Sequence, residues 1–276
     1  MGDIDLGKKV FFLYPPSVIH DDLVIRLLDQ EYEVYMIKSR QTAEKLFSRF
    51  PDAICFVNID AGMGERDWER WIRAIMANPA TKGIGIGIVT YNADETLQKK
   101  YLMDIGITCG FVKLKLGMEE STRILLTTLK AAEAKGRRKF VRASCEHDTI
   151  SSLNVREGQF DVTGKLRDMS VVGFSCVLDP DPEFQKNTVL HDIQLRLRGT
   201  LVHTEAIVFG KREEERTTYV MLFTPRMEPL TRQKIRAYIQ TALQFEIERI
   251  AEEAPDLPLD FKEQEAKASG GAAENA

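Results

Sequence analysis

Two short stretches hold side chains whose types and spacing could do chemistry. "KGRRKFVRAS" (135–144) gathers Arg137, Arg138, Lys139 and Arg142, and Arg138 and Arg142 stand four apart as RxxxR. "DMSVVG" (168–173) fits DxSxxG through Asp168, Ser170 and Gly173. A guanidinium is a planar fork of donors that matches phosphate oxygens in pairs and stacks on flat ring faces. An aspartate beside such a site is repelled by phosphate and needs a donor edge instead, while a serine can donate or accept. The set has no nucleophile next to a base and no metal-ligand spacing. It is therefore expected to bind rather than catalyse, with no catalytic residue, metal or cofactor. Each stretch alone has an ordinary explanation: a solvated helix end facing its own dipole for the arginines, an Asx-type turn for the aspartate.

The elements that must position these residues change character near residue 135. Ahead of it, apolar runs alternate with helix-period segments. Strand "KKVFFLY" (8–14) precedes helix "DDLVIRLLDQ" (21–30), strand "YEVYMI" helix "QTAEKLFSRF", and strand "AICFVNI" helix "RDWERWIRAIMAN". Strand "GIGIGIVTY" with helix "DETLQKKYLMDIG", and strand "GFVKLKL" with helix "MEESTRILLTTLKAAEA", complete the series. Parallel neighbours need a crossover helix, so the alternation predicts a doubly wound, flavodoxin-like α/β sheet. "GIGIG" (83–87) alternates glycine with isoleucine inside a strand run and lacks the turn of a dinucleotide fingerprint, so it reads as buried strand. Trp68 and Trp71, on one helix face, are core or a docking patch, with core expected for at least one.

After Gly136 the segments become short and alternating: "VRASCEHD", "SLNVREG", "FDVTGKLRDMS", "GFSCVLD", "DIQLRLRGTLVH", "TEAIVFGKR" and "TTYVMLFTP". Turns are expected at Glu157-Gly158, Thr163-Gly164 and Asp179-Pro180-Asp181-Pro182. Six or seven strands in so short a span predict a small closed barrel. "KREEER" (211–216) reads as a solvated hairpin loop. "LTRQKIRAYIQTALQFEIERI" (230–250) reads as an amphipathic helix with Thr231 as its N-cap.

The totals suit two domains: 276 residues, 43% hydrophobic and 29% charged. Residues 252–276 carry seven acids against Lys262 and Lys267, which accounts for the net charge of −4 and leaves a nearly neutral body. That balance argues against coating DNA or an anionic membrane, so no nucleic-acid partner is expected. No apolar run suits a signal peptide or a membrane span, so the expected address is the cytoplasm, without membrane insertion. Cys55, Cys109, Cys145 and Cys176 form no CxxC pair, and His147, His191 and His203 have no ligand spacing.

The first half resembles a two-component receiver domain with a degenerate phosphorylation pocket. Thr90 and Lys113 end strands four and five, as in that family. Tyr14-Pro15-Pro16 stands where its magnesium-binding acids belong, and Asn58 stands at the phospho-acceptor position, with Asp60 two residues on. Phosphorylation is accordingly not expected.

RxxxR followed by DxSxxG, at the start of a small barrel, resembles the PilZ domain, a family of cyclic di-GMP receptors. The resemblance covers roughly residues 135–250 and implies a six-stranded barrel with a C-terminal helix. It also implies cyclic di-GMP as ligand, held by Arg137, Arg138, Arg142, Asp168, Ser170 and Gly173. Arginine suits the phosphates and guanine O6 and N7, while Asp168 suits the guanine N1–H and N2 amine. An arginine at 137 favours a stacked ligand pair in this family. The expected organisation is a receiver-like domain (1–134), a PilZ domain (135–251) and an acidic disordered tail (252–276). The expected role is an effector whose two domains rearrange on binding and regulate a protein partner, through the receiver-like domain or the barrel surface, in motility or secretion. Two other readings stand beside it, a ligand-independent adaptor and a phosphorylation-driven response regulator.

Overall fold

The computed structural model describes residues 7–17, 19, 23–213 and 215–258. The chain divides into two compact units, residues 1–139 with 249–276 and residues 140–248. The chain passes between the units twice, inside the RxxxR stretch between Lys139 and Phe140 and again between Glu248 and Arg249.

The first unit is the expected α/β layer. Its elements are β1 (Val10–Leu13), α1 (Val24–Asp29), β2 (Val34–Ile37), α2 (Arg40–Arg49), β3 (Ile54–Asn58), α3 (Glu65–Ala77), β4 (Gly85–Thr90), α4 (Glu95–Lys99), β5 (Phe111–Lys113) and α5 (Met118–Ala131). The strands are parallel in the order β2-β1-β3-β4-β5, a doubly wound arrangement that reverses direction between β1 and β3. Helices on both faces explain why the strands read as unbroken apolar runs. Polar residues cap two of the helix starts: Ser39 accepts the Thr42 N–H at 3.1 Å and Asp94 accepts that of Thr96 at 2.8 Å. Trp68 and Trp71 are both buried core, edge to face at 5.5 Å. The alternating glycines of β4 are a packing requirement, since a Cβ at Gly87 would lie 2.6 Å from the Phe56 ring. The helix expected over 94–106 is α-helical only to Lys99 and continues as a π-helical turn, Lys100–Ile105. Strand five has three residues before a 3-10 turn, Leu114–Leu116.

The second unit is a closed antiparallel barrel. It contains β6 (Arg142–Ser144), β7 (Ser152–Glu157), β8 (Phe160–Ser170), β9 (Gly173–Asp179), β10 (Val189–Leu197), β11 (Thr200–Arg212) and β12 (Thr218–Phe223), followed by α6 (Pro229–Glu253), whose residues from Arg249 onward are grouped with the first unit. The order β6-β8-β7-β10-β11-β12-β9 closes through β8–β9, so six strands form the ring and β6 is appended to β8. Inward residues of successive strands, among them Val155, Leu166, Met169, Phe174, Leu195, Val208 and Met221, fill the interior.

Three local expectations fail for identifiable reasons. Thr163-Gly164 is no turn but part of β8, where a Cβ on Gly164 would lie 2.5 Å from the Val177 carbonyl oxygen. The segment expected as one strand over 192–203 is broken by a tight turn at Arg198-Gly199, with φ of 47° and 93°. Helix α6 starts at Pro229, a residue preorganised for a first helical position, so Thr231 lies within the helix instead of capping it. Glu252 and Glu253 belong to α6, and residues 259–276 of the expected tail lie outside the described residues. No helix among the described residues is long and apolar enough to cross a membrane.

One buried carboxylate ties the barrel unit together. Asp148, in the β6–β7 connection, accepts hydrogen bonds from Ser151 Oγ (2.7 Å), the Ile150 N–H (3.0 Å), Arg198 Nε (3.1 Å) and Tyr238 OH of α6 (2.9 Å). Arg198, held at positive φ, also donates its N–H to Ser151 Oγ at 3.1 Å and stacks 4.4 Å above Phe245 of α6. Burial opposes ionisation of Asp148, yet the donors, led by Ser151, outweigh it and hold its pKa below the ordinary value. The depressed value means that this stabilisation is complete above the unfolded carboxylate's pKa and fades as pH falls through the lower folded one. Asp148→Asn should cost about 3 kcal/mol near neutrality, because it leaves Arg198 without its counter-charge. Its stability, followed by thermal unfolding, should also fall less steeply with acid than wild type below about pH 4.

Candidate ligand-binding site

The polar residues of DxSxxG face outward because β8 contains a bulge. Along the β8–β9 ladder, Gly164 opposes Leu178 and Leu166 opposes Cys176, all on the inward side. Arg167 is then skipped, and the ladder resumes with Asp168 opposite Ser175, Met169 opposite Phe174 and Ser170 opposite Gly173. One extra residue inverts the parity of everything after it. Met169 thereby takes the inward position, fully buried, and Asp168 and Ser170 take the opposite side of the strand, Asp168 half-buried and Ser170 3% exposed.

Strand β6 delivers an arginine to the same face. Arg142 pairs in register with Ser170, Ala143 with Met169 and Ser144 with Asp168. The buried Ala143 points inward, leaving Arg142 and Ser144 outside. Arg142 Nη1 lies 3.4 Å from Asp168 Oδ1, and Ser175 Oγ donates to Asp168 Oδ2 at 2.6 Å. The carboxylate thus stands between a cation and a hydroxyl, each engaging a different oxygen.

Ser170 and Gly173 build the turn. They close the Val171-Val172 hairpin as a register pair, and Ser170 Oγ donates to the Gly173 carbonyl at 3.1 Å. Gly173 has no room for a side chain: its Cβ would fall 2.1 Å from the Met221 carbonyl oxygen on β12. The close approach that requires glycine is therefore that of a neighbouring strand.

The structure brings Arg142, Asp168, Ser170 and Gly173 together within the barrel unit. Arg137 and Arg138 precede that unit, exposed, in irregular backbone. The outward face continues along the hairpin through the pairs Lys165/Val177 and Thr163/Asp179. There a cleft of about 590 Å³ is lined by Lys165, Arg167, Val177 and Arg216, among others. Arg167 is paired with Glu146 at 3.4 Å and Arg216 with Asp179 at 3.6 Å. Two contributors escaped the sequence reading. Arg167 acts through the bulge, which only strand pairing reveals, and Ser175 would have emerged from counting outward positions back from Gly173.

Residues 136–241 match the family model described as PilZ domain. This part of the chain is a PilZ domain. Nothing among the curated proteins matches the chain. Solved structures similar to it include the PilZ domain with c-di-GMP of YcgR from Escherichia coli, at 18% identity and TM-score 0.35, covering 42% of this chain and 95% of that one. YcgR in complex with c-di-GMP from Escherichia coli matches at 19% identity and TM-score 0.33, covering 43% and 49%. The Bacillus subtilis inhibitor of motility (MotI/DgrA) matches at 20% and 0.31, covering 37% and 49%. The chain spans about half the length of these last two structures.

In the α/β unit, the pocket compared with receivers is occupied by internal bonds. Asn58, buried at the end of β3, donates to the Tyr14 carbonyl at 2.8 Å. Asp60 accepts the Thr90 hydroxyl at 2.5 Å and the Tyr91 N–H at 2.6 Å. Among the described residues no group of three or more His, Cys, Asp or Glu side chains could hold a metal.

The packing of the PilZ hairpin yields a stability prediction. Gly173→Ala must displace the β12 backbone and should destabilise the protein by about 3 kcal/mol, read as a lowered midpoint of urea unfolding. Ser170→Ala, which loses one hydrogen bond, should cost only about 1 kcal/mol.

Proposed function

We propose that this protein is a cyclic di-GMP receptor that converts ligand binding into a change at a protein contact. The observation that carries this reading is the pairing of Arg142 with Asp168 on the outer face of a PilZ barrel, with Arg137 and Arg138 a few residues upstream. Cyclic di-GMP offers two phosphodiesters and two guanines. Arg138 and Arg142 supply forks for phosphate oxygens and planes for stacking on purine. Asp168, repelled by phosphate, accepts from the guanine N1–H and N2 amine. Ser170 and Gly173 hold the turn that presents it. Arg137 adds a third guanidinium, suited to a stacked pair of ligands.

The division between units at Lys139 and Phe140 supports a mechanical role for the clamp. Capture of the ligand orders residues 135–142, and that segment is also one of the two connections between the units, the other lying within α6. Reorientation then exposes or hides a surface for a protein partner, with motility or secretion as the class of output.

Calorimetry tests the reading directly. Wild type should bind cyclic di-GMP with two ligands per chain, and Arg137→Ala should reduce the ratio to one. Arg138→Ala and Asp168→Ala should each weaken binding by roughly tenfold to a hundredfold, the worth of a hydrogen bond to a charged group. Absence of binding by wild type overturns the proposal and leaves a ligand-independent adaptor. Saturating ligand should also change small-angle scattering and slow hydrogen exchange over residues 135–142. Unchanged profiles would eliminate the rearrangement while leaving the receptor intact.

A further inference from the structure

The outer face of the β8–β9 hairpin holds a residue that belongs to neither motif. Ser175 is 2% exposed, sits directly across the ladder from Asp168, and donates its hydroxyl to Asp168 Oδ2 at 2.6 Å. The other carboxylate oxygen faces Arg142 Nη1 at 3.4 Å. We infer that Ser175 is a positioning residue for Asp168, holding its carboxylate open toward a guanine edge and away from closure onto Arg142. The inference rests on the cyclic di-GMP reading above and specifies how selectivity within that site is set.

The argument is one of competition for two oxygens. An unrestrained carboxylate beside a guanidinium rotates into a fork-to-fork pair, with both oxygens engaged by two N–H groups. Such a pair would remove from the site the cation meant for phosphate and the acceptor meant for the base. Here Oδ2 is drawn back by a hydroxyl on the neighbouring strand, whose own position is fixed by the β9 ladder. Only Oδ1 is left to Arg142, in a single long contact between partly solvated groups, the weak kind of ion pair that a ligand displaces easily. The fixed carboxylate plane matters for base choice as well. A guanine edge presents two adjacent donors, N1–H and the N2 amine, whereas adenine presents an acceptor at N1 that a carboxylate repels. An oriented carboxylate distinguishes the two, and one turned toward Arg142 does not.

The test uses the full-length chain, with cyclic di-GMP and cyclic di-AMP as probes. Ser175→Ala should lower cyclic di-GMP affinity about tenfold and shrink the preference over cyclic di-AMP by a similar factor. Ser175→Thr, which keeps the hydroxyl, should behave as wild type. In an Asp168→Ala background the serine substitution should have no further effect, because its influence passes through the carboxylate. A ligand-free measurement covers variants too weak to titrate. Modification of Arg142 by phenylglyoxal, followed by mass spectrometry, should slow in Ser175→Ala and not in the double variant. Equal losses with and without Asp168, or an unchanged modification rate, overturn the inference alone. Absence of cyclic di-GMP binding by wild type overturns it together with the receptor reading.

Discussion

A single extra residue in β8 decides which side of the barrel its polar residues face. Side chains alternate strictly along a strand, so Asp168 and Ser170 would share the inward side of Leu166 were Arg167 not skipped by the ladder. An unpaired carboxylate inside so small a core could not persist in charged form. The bulge gives Met169 to the interior and the two polar residues to the opposite side of the strand, where Asp168 is half-buried and Ser170 buried. It also anchors the strand that brings in the arginine, because the Arg167 carbonyl accepts the Cys145 N–H at 2.8 Å, just past the end of β6. The facing of Asp168 and the seating of β6 therefore depend on the same irregularity.

The network around Asp148 performs a comparable task at the other end of that connection. Asp148 lies six positions after Arg142 and is fixed by donors from its own loop, from the β10–β11 turn and from α6. The His147 ring lies 3.2 Å from Glu246, adding a second link between this loop and the helix. Residues 142–148 thus run from an exposed arginine to a buried anchor. The thiol of Cys145, between the two, is pushed up to about 11, by burial above all, which leaves it an inert packing group.

How much of this could be read from residue order depends on the range of the interaction involved. The β/α alternation of the first half and the strand alternation of the second follow from local hydrophobic period, and both architectures were legible. RxxxR and DxSxxG were legible as motifs because their residue types carry their chemistry. Features created by contact across the ladder were not. Gly164 reads as a turn, yet it is small because the Val177 carbonyl crosses its Cβ position. The turn at Arg198-Gly199 is concealed by an arginine at a position that favours asparagine or glycine. That backbone is held by Ser151 and Asp148, far away in sequence. Ser175 looks like any small residue in a strand until the register sets it opposite Asp168.

Strand β6 is three residues long, pairs on one side only, and lies outside the closed ring. A short edge strand of this kind opens at little cost while the ring beneath it stays intact. If Arg142 engages cyclic di-GMP as proposed, and only while β6 is seated, observed affinity is the intrinsic affinity scaled by the fraction of molecules in which that strand is zipped. The inward methyl of Ala143, which touches no solvent, then becomes a setting for sensitivity. Related chains could tune the concentration at which they respond by changing how firmly this strand adheres, without altering any group that meets the ligand.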